Sequence, residues 1–262
     1  MSLVNIDEIV GRLTAITTWA RGANSRLGFF PALYRTVTLE VQRGIKEGRF
    51  EDPVRMERLD VIFARRYLDA FDAHRQGEPV TRSWRLAFDA TSRWRPIILQ
   101  HLLLGMNAHI NLDLGIAAAT VAPGASLAAL HHDFNEINSI LERLMDAVES
   151  EISTVSPWID FVATASGNVD GVIGSFQMRI ARNVAWAVAE TLAPLDPAQQ
   201  AGAIEKLDVA AALLGRALLY PPLVTAATLL LVRGRETSTV QDVIDILCEV
   251  HPLPTPRETS LN

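Results

Sequence analysis

Residues 98–119 read ILQHLLLGMNAHINLDLGIAAA, and this stretch decides the fold. Placed on a helical wheel, its leucine, isoleucine, methionine and alanine side chains point in nearly every direction. A helix that is apolar all round is buried all round. The stretch therefore predicts a buried central helix over 95–121, and with it an all-α fold in which a single-domain multi-helix bundle surrounds that helix.

The rest of the chain also has the apolar periodicity of helices, and no segment has the pattern of a strand. Pro53 and Pro197 stand where a first helical residue is expected, and Gly48 and Gly77 stand where a helix ends. The predicted helices cover 5–21, 29–47, 53–75, 81–92, 95–121, 125–153, 171–193, 197–219, 222–234 and 238–249.

The domain organisation follows from the spacing of these helices. We expect one helical domain over residues 1–251 and a flexible C-terminal tail over 252–262, which reads PLPTPRETSLN. One long, weakly periodic stretch, residues 154–170, interrupts the series of helices. Long loops in compact domains often carry function.

Composition excludes several classes of protein. The formal net charge is −6, whereas a nucleic-acid surface needs clustered excess Lys and Arg, so we expect no nucleic-acid partner. Cys248 is the single cysteine, which excludes an internal disulfide and a cysteine-based zinc site and fits a reducing compartment.

The N-terminal residues and the apolar runs predict a cytoplasmic protein without a transmembrane segment. Asp7 and Glu8 stand where a secretory signal would be positively charged. The most apolar region, 209–232, is interrupted by Arg216 and by the Pro221-Pro222 pair. A membrane span needs about 20 uninterrupted apolar residues, so two packed helices are expected instead. The sequence leaves the oligomeric state open.

Polar residues share one side of the predicted central helix. Three polar residues, His101, His109 and Asp113, fall within one arc of about 120°, and Gly105 lies between the two histidines on the same arc. His109 and Asp113 are four residues apart, which places their Cβ atoms about 5–6 Å from each other and lets both hold one metal ion or one proton. Gly105 has no side chain, so a ligand or another backbone can approach the helix there.

The same pattern is equally compatible with a structural core. A buried His-Asp pair at this spacing can be a hydrogen-bonded core pair. Asn107 and Asn111, on the opposite side of the helix, can bridge neighbouring helices. Both interpretations stay open from the sequence.

The next predicted helix offers partners for the arc. In residues 127–148, LAALHHDFNEINSILERLMDAV, Asp133 lies beside the apolar face and His132 points away from it. Asp133 is therefore the expected inward ligand. The alternative is that Asp133 stabilises a helix N-terminus through its charge.

The helix predicted over 171–193 adds Arg182 and Trp186 on one arc. Arginine suits forked recognition of a carboxylate or phosphate, so Arg182 is a candidate for binding an anionic substrate. It is equally a candidate for neutralising buried aspartates. On the helix predicted over 53–75, Asp60 and Tyr67 share a face that is expected to be a solvated rim.

The run HLLLGMNAHINLDLGIAAA, residues 101–119, resembles the signature of a bacterial and fungal family of unknown function. FARRYLDAF (63–71), DFNEIN (133–138) and ARNVAWAVA (181–189) resemble further parts of its pattern, and the resemblance covers roughly residues 27–220. The resemblance implies no reaction. It implies only that certain positions belong to the family pattern: His101, Asn107, His109, Asn111, Asp113, Asp133, Asn138, Arg182 and Trp186.

A more distant similarity is to helical metal-dependent phosphoesterases of the zinc phospholipase C type, which also place His and Asp on core helices. This chain lacks their N-terminal Trp ligand and their larger set of histidines. The similarity therefore implies one or two metal ions at most.

Three functions compete. The first is a metal-dependent hydrolase of a small anionic or lipid-like substrate, in which a divalent metal ion activates a water molecule. Its predicted metal ligands are His101, His109, Asp113 and Asp133, with His101, His109 and Asp113 as catalytic residues and Asn107, Arg182 and Trp186 as substrate-binding residues.

The second is a metal-free lyase or isomerase in which His109, paired with Asp113, is the acid or base in an apolar pocket. The third is a non-enzymatic binding protein whose polar core fixes helix register. A small-molecule ligand is the expected partner in the first two.

Overall fold

The computed structural model describes residues 5–155 and 178–249, and within these ranges it contains helices and no strand. The all-α prediction is confirmed. The tail predicted over 252–262, most of the loop predicted over 154–170 and the start of the helix predicted over 171–193 lie outside the described residues.

In chain order the helices are α1 (Ile6–Gly22), α2 (Phe29–Lys46), α3 (Pro53–Gln76), α4 (Arg82–Ala90), α5 (Ile98–Ala108), a π-helical segment (His109–Leu114), α6 (Gly115–Val121), α7 (Leu127–Val155), α8 (Met178–Leu192), α9 (Pro197–Leu219), α10 (Leu223–Arg233) and α11 (Val240–Glu249). Short 3₁₀ turns precede α2 (Arg26–Gly28) and α7 (Gly124–Ser126).

Local sequence signals set several helix ends. The Asp52 side chain accepts a hydrogen bond from the backbone N–H of Arg55 at 2.9 Å, and Pro53 follows it at the first helical position. Gly77 ends the same helix with a φ of 75°, a left-handed conformation that costs glycine little. These features explain why α3 has the bounds that its sequence predicts.

The central helix is buried as predicted. Helix α5, the π-helical segment and α6 follow one another without a break from Ile98 to Val121. Helices α2, α4 and α9 pack around α5, while α3 and α8 pack around α6. His101, His109 and Asp113 are 5%, 3% and 1% exposed, so the polar arc lies inside the protein.

The π-helical segment is the part of this helix that the sequence pattern did not predict. A π turn contains one residue more than an α turn, because its hydrogen bonds join residues i and i+5. Such turns are rare and occur frequently at functional sites. Here the segment begins at His109 and includes Asp113, so it carries two of the three predicted catalytic residues.

Two parts of the described chain meet the length and composition of a membrane span. Ile98–Val121 does so alone, and α9 with α10 does so as a pair bent by 66°. In the first, 94% of the apolar window is buried inside the protein. Because a buried core helix meets the same criteria, these features are weak evidence for a membrane span.

Candidate functional site

Asp113 is anchored by two neighbouring helices. Its Oδ1 atom accepts a hydrogen bond from Arg66 Nε of α3 at 2.7 Å, and its Oδ2 atom accepts one from Trp84 Nε1 of α4 at 2.8 Å. His109 Nδ1 lies 3.5 Å from the same Oδ2 atom. Asp113 is therefore engaged by protein groups on both oxygens.

His109 is held in place by aromatic rings. Its imidazole stacks on Phe63 with 3.6 Å between ring centroids and 8° between planes, and the ring of Tyr34 meets it edge-on at 4.5 Å. Burial lowers the pKa of His109, although the hydrogen bond to Asp113 and the charge of Asp113 act in the opposite direction. His109 Nε2 is buried and has no hydrogen-bond partner among the described residues.

The imidazole of His109 forms part of the wall of a cavity of about 80 Å³. The wall comes from α2, α3, the central helix, α7 and α8, and most of it is apolar. Its apolar residues include Leu33, Val37, Leu59, Ile110, Leu141 and Leu144. Polar groups are few: Tyr34, Asp60, His109 and Arg182.

The prediction of a solvated rim is wrong for Tyr67, which is 1% exposed, and for Asp60, which belongs to this cavity wall. Asp60 is buried, and its Oδ2 atom has no hydrogen-bond partner within the described part of the chain. Burial, helped by the negative charge of Glu57, raises the pKa of Asp60 to about 7. The sequence contained a signal for this: Ala64, Tyr67 and Phe71 follow Asp60 at helical spacing and form a buried face of α3.

Arg182 enters the same wall from α8. The side chain is 3% exposed. Its Nε atom donates to Asn138 Oδ1, and an Nη atom donates to the backbone carbonyl of Phe134 at 2.6 Å. The guanidinium also lies over the Phe134 ring, 4.4 Å from its centroid.

Two other predicted site residues lie away from the cavity wall. His101 packs against Phe29, and both its ring nitrogens lack a partner among the described residues. Burial, with the positive charges of Arg26 and Arg233, lowers the pKa of His101 to about 3. Asn107 donates to the backbone carbonyl of Ala211 on α9 at 2.8 Å and accepts from Asn111, so it bridges helices rather than facing the cavity.

Asp133 serves the N-terminus of α3. Its carboxylate accepts the backbone N–H groups of Glu51 and Asp52 at 2.7 and 3.1 Å and pairs with Arg55 at 2.9 Å. Its side chain is buried, whereas that of His132 is exposed and lies near Glu51. Asp133 thus faces inward, and its contacts are those of a helix cap.

Trp186 lies beside the cavity wall rather than in it. Its ring packs on Phe134 and His131, with centroid distances of 5.0 and 4.6 Å, and its Nε1 atom donates to Glu190. Trp186 therefore braces α8 against α7.

Of the four predicted metal ligands, the structure brings together only His109 and Asp113, whereas His101 and Asp133 make their contacts elsewhere. Among the described residues, no group of three or more His, Cys, Asp or Glu side chains has the arrangement of a metal site. The oxygens of Asp113 and Asp133 are already bonded to protein groups, and His101 packs elsewhere. At Gly105, a Cβ atom would lie 2.5 Å from the ring of Phe30, so a side chain of α2, rather than a ligand or another backbone, occupies the space beside this glycine.

Comparison with known proteins places the chain in a family. No curated protein and no solved structure matches it, so no relative assigns an activity to the cavity. The sequence profile of DUF5995, described as a family of unknown function, matches residues 6–221. This match covers most of the chain and agrees with the resemblance to a family of unknown function. On this evidence the chain belongs to the DUF5995 family.

Proposed function

We propose that this chain is an enzyme that binds a small, mostly apolar molecule in the helix-lined cavity and performs metal-free acid–base chemistry on it, of the lyase or isomerase type. One observation carries the proposal. His109 Nε2 and Asp60 Oδ2 are both buried, both lack a hydrogen-bond partner among the described residues, and belong to residues that line one apolar cavity. Unpaired buried polar atoms are costly, and a ligand in the cavity gives them partners.

His109 is suited to act as the base. Its lowered pKa leaves the imidazole neutral at pH 7. Assigning the ring proton to Nδ1, which faces Asp113 Oδ2 at 3.5 Å, leaves the lone pair on Nε2. A fixed tautomer with an unprotonated nitrogen at the cavity is the arrangement that general base catalysis requires.

Asp60 is suited to act as the acid. With a pKa of about 7, its carboxyl group is protonated in a large fraction of molecules at neutral pH. Enzymes commonly obtain an acid and a base from two titratable groups in one pocket whose pKa values are shifted away from their ordinary values. Burial also raises the pKa of Tyr34, so its hydroxyl remains a hydrogen-bond donor at the same wall.

The metal-dependent hydrolase stays an alternative prediction with weaker support. The ligand predicted to hold a divalent metal ion together with His109 is Asp113, and both of its carboxylate oxygens already accept hydrogen bonds, from Arg66 and Trp84. Releasing them would leave the Arg66 charge without its partner.

A non-enzymatic binding protein is the second candidate. It is favoured by Asn107 and Asp133, which both serve helix placement rather than the cavity. The cavity would then hold its ligand without proton transfer, and turnover distinguishes the two functions.

The test is proton exchange from carbon. A panel of small ketones and carboxylic acids is incubated with the protein in D₂O, and loss of the proton next to the carbonyl is followed by NMR. We expect the wild type to catalyse exchange of at least one member and folded His109→Gln to lose that activity by about 10²-fold or more. His132→Gln, which changes an exposed histidine, is the matched control and should keep the wild-type rate.

Two results would contradict the proposal. A proton on His109 Nε2 at pH 7, detected by long-range ¹H–¹⁵N NMR, would remove the base. Ligand binding without exchange of any panel member would favour the binding protein.

A further inference from the structure

Arg182 carries a buried positive charge for which the described residues supply no carboxylate. Its hydrogen bonds go to two neutral acceptors, Asn138 Oδ1 and the Phe134 carbonyl. Arg55 and Arg66, which are more exposed, each pair with a buried aspartate. Within the described part of the chain, Arg182 therefore differs from these arginines in lacking a counter-ion.

This charge persists at physiological pH. Burial lowers the pKa of Arg182 to about 9, which still leaves the guanidinium protonated near pH 7. Removing a charge from water without pairing it is expensive. An anionic group delivered by a ligand would offset that cost.

The position of Arg182 restricts the anion. Arg182 belongs to the same wall as His109 and Asp60, and the remainder of that wall is almost entirely aliphatic and aromatic. A planar guanidinium matches a planar carboxylate in a forked arrangement. A doubly charged phosphate would need further cationic partners, and Arg182 is the only arginine or lysine in the wall among the described residues.

The volume of the cavity also limits the size of the ligand. A volume of about 80 Å³ holds roughly five water molecules at about 15 Å³ each. A ligand of about five or six non-hydrogen atoms fits this space without displacing side chains.

We infer that the ligand is a short-chain apolar monocarboxylate whose carboxylate pairs with Arg182 and whose carbon chain extends toward His109 and Asp60. The inference rests on the proposed function only in placing the ligand in the same cavity. It does not depend on any reaction taking place there.

The experiment compares matched ligands that differ in charge. Straight-chain carboxylates from butanoate to octanoate, the corresponding primary amides and the corresponding amines are titrated into the full chain, and dissociation constants are measured by calorimetry. We expect the carboxylates to bind about tenfold to hundredfold more tightly than the amides, since a hydrogen bond to a charged group contributes more than a neutral one. The shorter acids should bind best.

Three variants test whether the preference for carboxylates over amides depends on Arg182. Arg182→Gln should abolish the preference for acid over amide. Arg182→Lys keeps the charge and should retain part of the preference, which tests the inference even if the glutamine variant does not fold. Arg216→Gln removes an exposed positive charge on α9 and should behave as the wild type.

The outcomes separate this inference from the enzymatic proposal. Acids that bind through Arg182 without proton exchange support the carboxylate assignment and contradict the enzyme. Equal binding of acids and amides, a preference for amines, tighter binding of inorganic phosphate, or no binding by any probe would each overturn the carboxylate assignment. The proton-exchange assay on ketones would still report separately on His109.

Discussion

Among single residues, Asp113 joins three parts of the bundle. It receives hydrogen bonds from Arg66 on α3 and Trp84 on α4 and lies beside His109 on its own helix. The carboxylate is 1% exposed, so water cannot replace these partners. Asp113 therefore fixes the orientation of His109 and stabilises the packing of α3 and α4 against the central helix.

Replacing Asp113 by Asn tests this role. The asparagine amide turns an NH₂ group toward Arg66 or Trp84, which are themselves donors. It also leaves the Arg66 charge without its counter-ion. We therefore expect a loss of about 2–3 kcal/mol in the free energy of unfolding. The matched control is Asp72→Asn. The side chains of the Arg12–Asp72 pair are 40% and 42% exposed, so this change should cost less than about 1 kcal/mol. Urea unfolding of both variants gives the comparison, and equal losses would contradict a buried ion pair at Asp113.

His101 makes stability depend on pH. Its folded-state pKa of about 3 lies below its ordinary value of 6.5. The unfolded chain therefore binds a proton below pH 6.5 that the folded protein does not, and this residue lowers stability as the pH falls from 6.5 toward 3. Replacement by Met removes that loss.

The measured quantity is the free energy of unfolding of His101→Met minus that of the wild type. We expect this difference to be about 2 kcal/mol more positive at pH 5 than at pH 8. Asp60 has the opposite dependence, because its raised pKa gives stability that is lost as the pH rises through about 7. That contribution is common to both proteins and cancels in the difference. His132→Met, at an exposed site, is the control, and an identical pH response in both variants would rule out the assignment to His101.

Among the helices, close packing at Gly105 sets the distance between α5 and α2. A Cβ atom at this position would lie 2.5–2.9 Å from atoms of Phe30. The same phenylalanine contacts the rings of His109 and Tyr67. The glycine therefore lets Phe30 reach the candidate site.

Gly105→Ala should destabilise the protein even though alanine is the better helix former. In an open position the same change contributes about 0.5–1 kcal/mol of stability. Gly202 on α9 provides that open position, because a Cβ atom there would meet nothing within 4 Å. We expect opposite signs for Gly105→Ala and Gly202→Ala in thermal melts, and a stabilising Gly105→Ala would show that Phe30 can shift freely.

The burial of the central helix could be predicted from the sequence, whereas its contacts with neighbouring helices could not. Burial of His101, His109 and Asp113 followed from apolar side chains in every direction, which is a local property of the chain. The partners of Asp113 were not predictable, since Arg66 and Trp84 meet it only through tertiary packing. The π-helical segment left no local signal either, because a regular helix and a π turn use the same apolar pattern.

In the whole molecule, the donors predicted for a metal are distributed among separate tasks. Asp133 caps α3, His101 packs against Phe29, and only His109 contributes to the cavity wall. We therefore expect a chelator to leave the melting temperature of the freshly purified, untagged protein unchanged. A lower melting temperature with chelator, absent in His109→Gln, would instead support the metal-dependent hydrolase.

Three helices begin at carboxylates that belong to distant parts of the chain. Asp133 accepts the N–H groups ahead of α3, Asp208 accepts those of Arg82 and Ser83 at the start of α4, and Glu236 accepts that of Ile98 at the start of α5. Removing such an acceptor from the start of a helix lowers the stability of the protein by about 0.5–2 kcal/mol. Each of these first turns is therefore complete only in the folded bundle.

The third of these caps has a practical consequence for anyone trimming the chain. The family match ends at residue 221, and that limit invites expression of a shortened fragment. Glu236 lies beyond it, so the fragment would begin its central helix with an unsatisfied buried amide at Ile98. It would also lack Leu247, whose backbone carbonyl accepts the Thr36 hydroxyl on α2. The smallest unit able to fold as described therefore extends past the family boundary, at least through α11.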